Sequence, residues 1–160
     1  MVIMQKIFRL SLFVLAGFFL LTMSNVQAQK KAKKEAIQWA AENIKWEEMK
    51  DGPPGVMTAT LWGDMNKGAY GALVKFPGNV KHPLHTHGYD IKTVVISGTF
   101  TYAPEGGEEK SYGAGSYLLI PRNVKHLSGS GPDGVTFFIE QPGKFDMKMV
   151  EMKKDEMMKK

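Results

Sequence analysis

The histidines of this chain are confined to two short stretches, and their spacing is typical of a metal site. The sequence has 4 histidines, three in "KHPLHTHGY" and the fourth in "RNVKHLSG". One residue separates His85 from His87, so a β-strand would point both rings to the same side. Neutral imidazole is a common protein ligand of transition metals. His126 follows the apolar run "SYLLIP", and a returning strand there would supply the third ring. We therefore predict that His85, His87 and His126 bind one metal ion.

The rest of the sequence predicts short strands that could position these rings. Runs of β-branched and aromatic residues alternate with turns rich in Gly, Pro and Asn. This pattern is typical of an antiparallel sandwich or barrel. With 160 residues, 43% of them hydrophobic, the chain is expected to form one domain with its own core. There is no cysteine, which excludes disulfides and thiolate ligands. The strand candidates are residues 56–62, 69–76, 92–103, 116–121, 135–140 and 144–150.

The N-terminal segment has the features of a secretory signal peptide. Lys6 and Arg9 precede an apolar run at residues 10–21, and small residues near Ala28 predict cleavage after that residue. The run is shorter than the roughly 20 residues of a membrane-spanning helix. Residues 1–28 are therefore predicted to be removed, which would leave a periplasmic or secreted protein without a membrane contact. An uncleaved anchor is the alternative.

Residues 29–43 are predicted to form an N-terminal helix. Alanine and isoleucine recur there at three- and four-residue spacing, with Lys and Glu between them. The "DGPPG" sequence that follows cannot continue a helix. The β domain is therefore predicted to span residues 44–150, and residues 151–160 form a polar tail.

Two motifs around the histidines resemble those of the cupin superfamily. Their glycine, histidine and proline positions are matched by Gly78, His85, His87 and Gly98, and then by Gly115, Pro121 and His126, while Asn123 stands in place of a glycine of the second motif. The resemblance covers roughly residues 44–150. It is closest to small single-domain exported cupins, and more distant to the cupin dioxygenases that cleave β-diketones with three histidines. It implies an all-β fold, a double-stranded β-helix of the jelly-roll type.

The first motif departs from the family because it lacks the family's glutamate. Counting by twos from His87 brings Ile91 to the side that faces the site, whereas Asp90 and Lys92 face the opposite side. We therefore predict a metal held by nitrogen alone, with positions open to substrate or water. A bulge that turns Asp90 inward is one alternative. Another is a cupin that has lost its metal and retains the histidines. In the second motif Ser130 replaces an asparagine.

Other side chains are candidates for the pocket around the metal. His82 has odd spacing from His85 and precedes Pro83, which favours a surface position over contact with a metal ligand or substrate. Aromatic residues on the same strands either fill the core or line a ligand cavity. With His82 and Ile91, the pocket candidates are Tyr89, Phe100, Tyr102 and Phe138.

Two functions follow from these predictions. The first is a metal-dependent enzyme, since a divalent Fe, Zn, Mn, Ni or Cu ion polarises carbonyl and enolate oxygens. It would be a dioxygenase acting on a diketone-like or phenolic substrate, or an isomerase. The second is a non-catalytic protein that binds or senses a small molecule, with or without metal.

A homodimer is expected through an exposed strand edge at residues 135–140. The net charge of +5 lies largely in lysines at both ends, which argues against nucleic acid.

Overall fold

The structure is a computed structural model that describes residues 35–50 and 52–151. The predicted signal peptide, residues 1–28, lies outside the described residues, as does the polar tail from residue 152 onward. In the described ranges, no helix is long and apolar enough to span a membrane.

The described residues form nine β-strands, and every pairing between them is antiparallel. This confirms the predicted all-β fold. The strands are β1 Glu47–Glu48, β2 Met57–Gly63, β3 Tyr70–Phe76, β4 Lys81–Thr86, β5 Ile91–Pro104, β6 Lys110–Tyr112, β7 Tyr117–Ile120, β8 His126–Gln141 and β9 Lys148–Met149.

Strand β8 is the centre of the sheet because it has neighbours on both sides along its length. Its first part pairs with β4, its second part pairs with β3, and β5 lies alongside both parts. The β5–β8 ladder shifts register on both sides of Gly98, which has a φ of 73°. A side chain there would also collide with the carbonyl of Gly134. These bulges bend the long strands, and the sheet curls around its core.

Alternation along the strands separates the core from the surface. Tyr70, Ala72, Val74 and Phe76 of β3 are buried, and β5 alternates in the same way from Ile91 to Val95. Burying one face of each strand is the main favourable contribution to folding. The inward side chains surround a cavity in which the histidines lie.

The predicted N-terminal helix is wrong over its described part. Residues 35–50 contain one 3-10 turn, Ala41–Asn43, and no α-helix. Ile37 is 64% exposed, so the apolar stripe of this segment has no core to pack against, and an isolated short helix is marginal in water. Instead, Trp39 donates a hydrogen bond from Nε1 to the carbonyl of Leu61, at 2.8 Å.

The predicted strand edge at residues 135–140 is also wrong. This segment lies within β8 and is hydrogen-bonded to β3 on one side and β5 on the other, so it cannot pair with a second subunit. Strand β8 continues through residues 129–134, where Gly134 has a φ of 77°. A homodimer stays a prediction without this edge.

Candidate metal centre

The structure brings together the three histidines that the sequence singles out. His85 lies on β4 directly opposite His126 on β8, and His87 follows the end of β4. The ring centroids of His85 and His126 are 4.2 Å apart, and those of His87 lie 5.0 Å from His85 and 5.5 Å from His126. All three side chains are buried. Two adjacent strands therefore present three imidazoles to one point.

Backbone carbonyls fix which nitrogen of each ring faces that point. Nδ1 of His85 lies 2.7 Å from the carbonyl of Pro83, and Nδ1 of His126 lies 2.9 Å from that of Val124. Nδ1 of His87 contacts the carbonyl of Asp146. A carbonyl only accepts hydrogen bonds, so each Nδ1 carries the proton and each neutral ring keeps its lone pair on Nε2.

The protonation state of the rings suits metal binding. Burial lowers the pKa of His126 to about 4, although its hydrogen bond to Val124 acts in the opposite direction. Burial also lowers the pKa of His85 and of His87. The rings are therefore neutral near pH 7, which is the form that binds metals. One possible donor atom from each ring lies within 4.8 Å of the other two, so the three rings could hold one metal ion.

The position of the missing glutamate is filled by an apolar side chain. Ile91 is 3% exposed and lines the cavity. Asp90 is exposed, and its carboxylate accepts a hydrogen bond from the backbone N–H of Arg122, at 2.8 Å. Lys92 is exposed and pairs with Glu140 at 2.9 Å. No Asp or Glu of the described ranges lines the cavity, so the donor set there consists of nitrogen.

His82 is buried, so the predicted surface position is wrong. It is 6% exposed and lines the same cavity. His82 pairs with Ser128 and His85 with His126, so three steps along β4 match two along β8. The extra residue is a bulge that turns His82 to the same side as His85. Pro83 was the signal in the sequence, since proline cannot donate to the ladder and often marks such irregularities.

The ring of His82 packs edge-on against Phe76, with centroids 4.8 Å apart. Its Nδ1 lies 3.4 Å from the hydroxyl of Ser128. Burial, and then the nearness of His85 and His126, lowers the pKa of His82 to about 4. His82 is therefore a fourth neutral imidazole in this cavity.

The cavity is narrow and mostly apolar. The volume open to the centres of water molecules is about 60 Å³, which is room for a few waters or one small molecule. Most of its lining is buried. Four lining residues are partly exposed and form what we call the mouth, namely Met49, Met65, Phe145 and Met147. Methionine adapts readily to different apolar shapes, so the mouth suits ligands with an apolar part.

The predicted aromatic pocket residues divide between several places. Phe100 lines the cavity, and Tyr102 stacks on the ring of His126 at 5.3 Å without lining it. Tyr89 is 41% exposed and covers Gly143. Phe138 lies opposite Val94 in the β5–β8 ladder and outside the cavity lining. Tyr89 and Phe138 are thus not pocket residues: the first lies in the turn after β4, and the second has the wrong strand parity.

Asp146 is a residue of the site that sequence analysis missed. Besides its carbonyl contact with His87, its carboxylate accepts hydrogen bonds from Gly88 N at 2.7 Å and from Nε2 of Gln141 at 3.4 Å. Outer partners of this kind orient metal-binding histidines. The contact joins residues 59 apart in sequence, and no local pattern signals it.

The two substituted positions of the second motif support the strands that carry the histidines. Asn123 has a φ of 62°, which asparagine tolerates better than most residues, and its N–H donates to the carbonyl of His87 at 2.8 Å. The hydroxyl of Ser130 donates to the carbonyl of Pro77 at 2.6 Å and accepts from Val80 N at 3.0 Å. Ser130 therefore ties the segment before β4 to β8.

The chain belongs to the family described as "Domain of unknown function (DUF4437)", whose model matches residues 23–148. No curated protein matches the sequence.

Solved structures show the fold of the chain. The polyketide cyclase RemF from Streptomyces resistomycificus has a TM-score of 0.60 and 17% identity, over 76% of this chain and 89% of that one. An RmlC-like cupin from Shewanella frigidimarina has a TM-score of 0.54 and 19% identity, over 68% and 92%. The DMSP lyase DddQ from Ruegeria pomeroyi has a TM-score of 0.54 and 14% identity, over 67% and 61%. The cupin fold predicted from the two motifs is confirmed. A fold shared by a cyclase and a lyase does not select a function.

Proposed function

We propose that His85, His87 and His126 bind one divalent transition metal through Nε2, and that the cavity binds a small molecule beside it. One observation carries the proposal: each Nδ1 faces a backbone carbonyl, so three neutral Nε2 atoms converge in a buried site. Filling the glutamate position with Ile91 leaves a neutral donor set, which Fe, Zn, Mn, Ni and Cu all accept.

An ion held by three neutral ligands keeps its full charge and polarises a carbonyl, enolate or phenolate oxygen. The chain itself contributes a dry, shaped site. Phe76, Phe100 and Phe137 line the cavity and exclude water from a bound molecule. The mouth admits an apolar part, and the small volume favours a compact diketone-like or phenolic ligand over a large one.

We propose an enzyme as the first function, a dioxygenase or isomerase acting on such a ligand. The alternative is a binding or sensing protein without turnover, and the apolar wall at Ile91 favours it, because that position offers no carboxylate as a general base. Residues 1–28 support the further proposal that either function is performed outside the cytoplasm.

The test is the metal content of protein purified without chelators. We expect about one ion per chain in the wild type and loss of that ion in His87→Ala, because two remaining ligands bind weakly. Asp90→Asn is the matched control, since Asp90 lies in the motif but faces outward, and it should retain the ion. Folded wild-type protein that takes up no ion from added Fe, Zn, Mn, Ni or Cu would refute the proposal.

Oxygen consumption then separates the two functions. Metal-loaded protein should consume oxygen with acetylacetone or a small phenol if it is a dioxygenase. Tight binding of these compounds without consumption or isomerisation would identify a binding protein.

A further inference from the structure

His82 carries an unused hydrogen-bonding atom in the wall of the cavity. Among the described residues, Nε2 of His82 is the one buried side-chain nitrogen or oxygen atom without a hydrogen-bond partner. The side chain is 6% exposed. A buried polar atom without a partner costs free energy, so one that is retained in a cavity calls for an explanation.

A purely structural role does not explain this histidine. Phe76 and Ser128 hold the ring in place, but neither contact uses Nε2, and an apolar ring would fill the same space without the cost. Direct metal ligation is not what the geometry shows either. The ring of His82 lies 6.1 Å from that of His85, and its nitrogens do not belong to the group of donor atoms that converge.

We propose that His82 contacts the ligand, and that Nε2 forms the hydrogen bond that orients a small molecule with two polar ends. One end would bind the metal, the other would bind His82, and a short apolar part would lie against the phenylalanine walls. Nε2 can donate or accept, because the hydroxyl of Ser128 can accept from or donate to Nδ1. The inference rests on the proposed metal site and adds a ligand class, compact molecules with two oxygen functions.

The test uses Co(II)-loaded protein, whose visible spectrum reports changes at the metal. Hydroquinone is the probe, because its two oxygens lie too far apart to chelate one ion, and phenol is the control, which has the same ring with a single oxygen; both are added without air. His82→Leu removes the hydrogen bond, and His82→Gln restores a polar group at similar reach. Co(II) affinity and melting temperature are measured for each variant to establish folding.

We expect His82→Leu to bind Co(II) and phenol within about twofold of the wild type, and hydroquinone about five- to tenfold more weakly, the size of one hydrogen bond. His82→Gln should recover most of that loss. An equal loss of hydroquinone and phenol binding, an unchanged hydroquinone affinity, or no binding of hydroquinone to the wild-type Co(II) protein would each overturn the inference. A Co(II) affinity that falls about tenfold in both variants would overturn it too, in favour of a fourth metal ligand. Failure of the wild type to bind Co(II) would instead refute the proposed function.

Discussion

The metal-free protein should lose stability steeply in mild acid, because its buried imidazoles must stay neutral in the fold. Burial lowers the pKa of both His82 and His126 from 6.5 to about 4. Between these values the unfolded chain binds more protons than the folded chain, so the free energy of unfolding falls as the pH falls. The stabilisation is complete above pH 6.5 and is lost progressively down to about pH 4.

The size of the loss follows from the two pKa values. Lowering the pH from about 7.5 to about 5 costs roughly 2 kcal/mol for each ring, or about 4 kcal/mol for both. A domain of this size is stable by about 5–15 kcal/mol, so the change is large.

Urea denaturation of chelator-treated protein, followed by far-UV circular dichroism at both pH values, measures the effect. The matched variant is His82→Leu, which removes one of the two rings with a pKa of about 4 and should lose roughly 2 kcal/mol less than the wild type. A wild-type loss below about 1 kcal/mol, or an equal loss in the variant, would show that these rings are not held neutral by burial.

Two substitutions test the supports of the metal centre. Ser130→Ala leaves the buried N–H of Val80 without its acceptor, so the free energy of unfolding should fall by about 1–3 kcal/mol. The control is Ser111→Ala on the exposed face of β6, which should change the free energy of unfolding by less than about 0.5 kcal/mol. Equal melting temperatures of the two variants would contradict the role assigned to Ser130. Gly88→Ala places a methyl group 2.8 Å from Oδ2 of Asp146, which should displace Asp146, whose carbonyl contacts His87. Metal affinity, measured by titration, should then fall about tenfold. A fall of less than about twofold would mean that Asp146 does not orient the ring of His87.

The fold and the convergence of the histidines could be anticipated because both depend on local patterns. Strand alternation placed His85 and His87 on one side, and alternation continued from His87 turned Ile91 toward the cavity and Asp90 away from it. The cupin motifs supplied the pairing with His126. Strand alternation repeats every two residues, and the motif residues follow one another in the order of the cupin motifs, so a single sequence displays both.

The errors have a different physical origin, since each depends on contacts that no local pattern encodes. In the described part of residues 29–43, the apolar side chains have no surface to pack against, since Ile37 is exposed. Placing Phe138 correctly required knowing which of two adjacent phenylalanines faces inward. Phe137 lines the cavity, so Phe138 faces the other side of the strand. The role of Asp146 depends on a segment that returns to the site from after β8.

The irregularity at Pro83 and Leu84 has a consequence for how the chain can vary. In a regular strand every second side chain faces the same side. The bulge in β4 interrupts this alternation, so residues 82–87 place three imidazoles in one wall of the cavity. The inward position of His82 therefore depends on the extra residue of the bulge, because three steps along a regular strand would turn its ring outward. Deleting Leu84 would remove that extra residue, and His82 and His85 would then lie two steps apart on a regular ladder, still facing inward opposite Ser128 and His126. The direction of the His82 side chain should therefore survive this one-residue deletion, whereas a change that straightens β4 without shortening it would turn His82 to the surface.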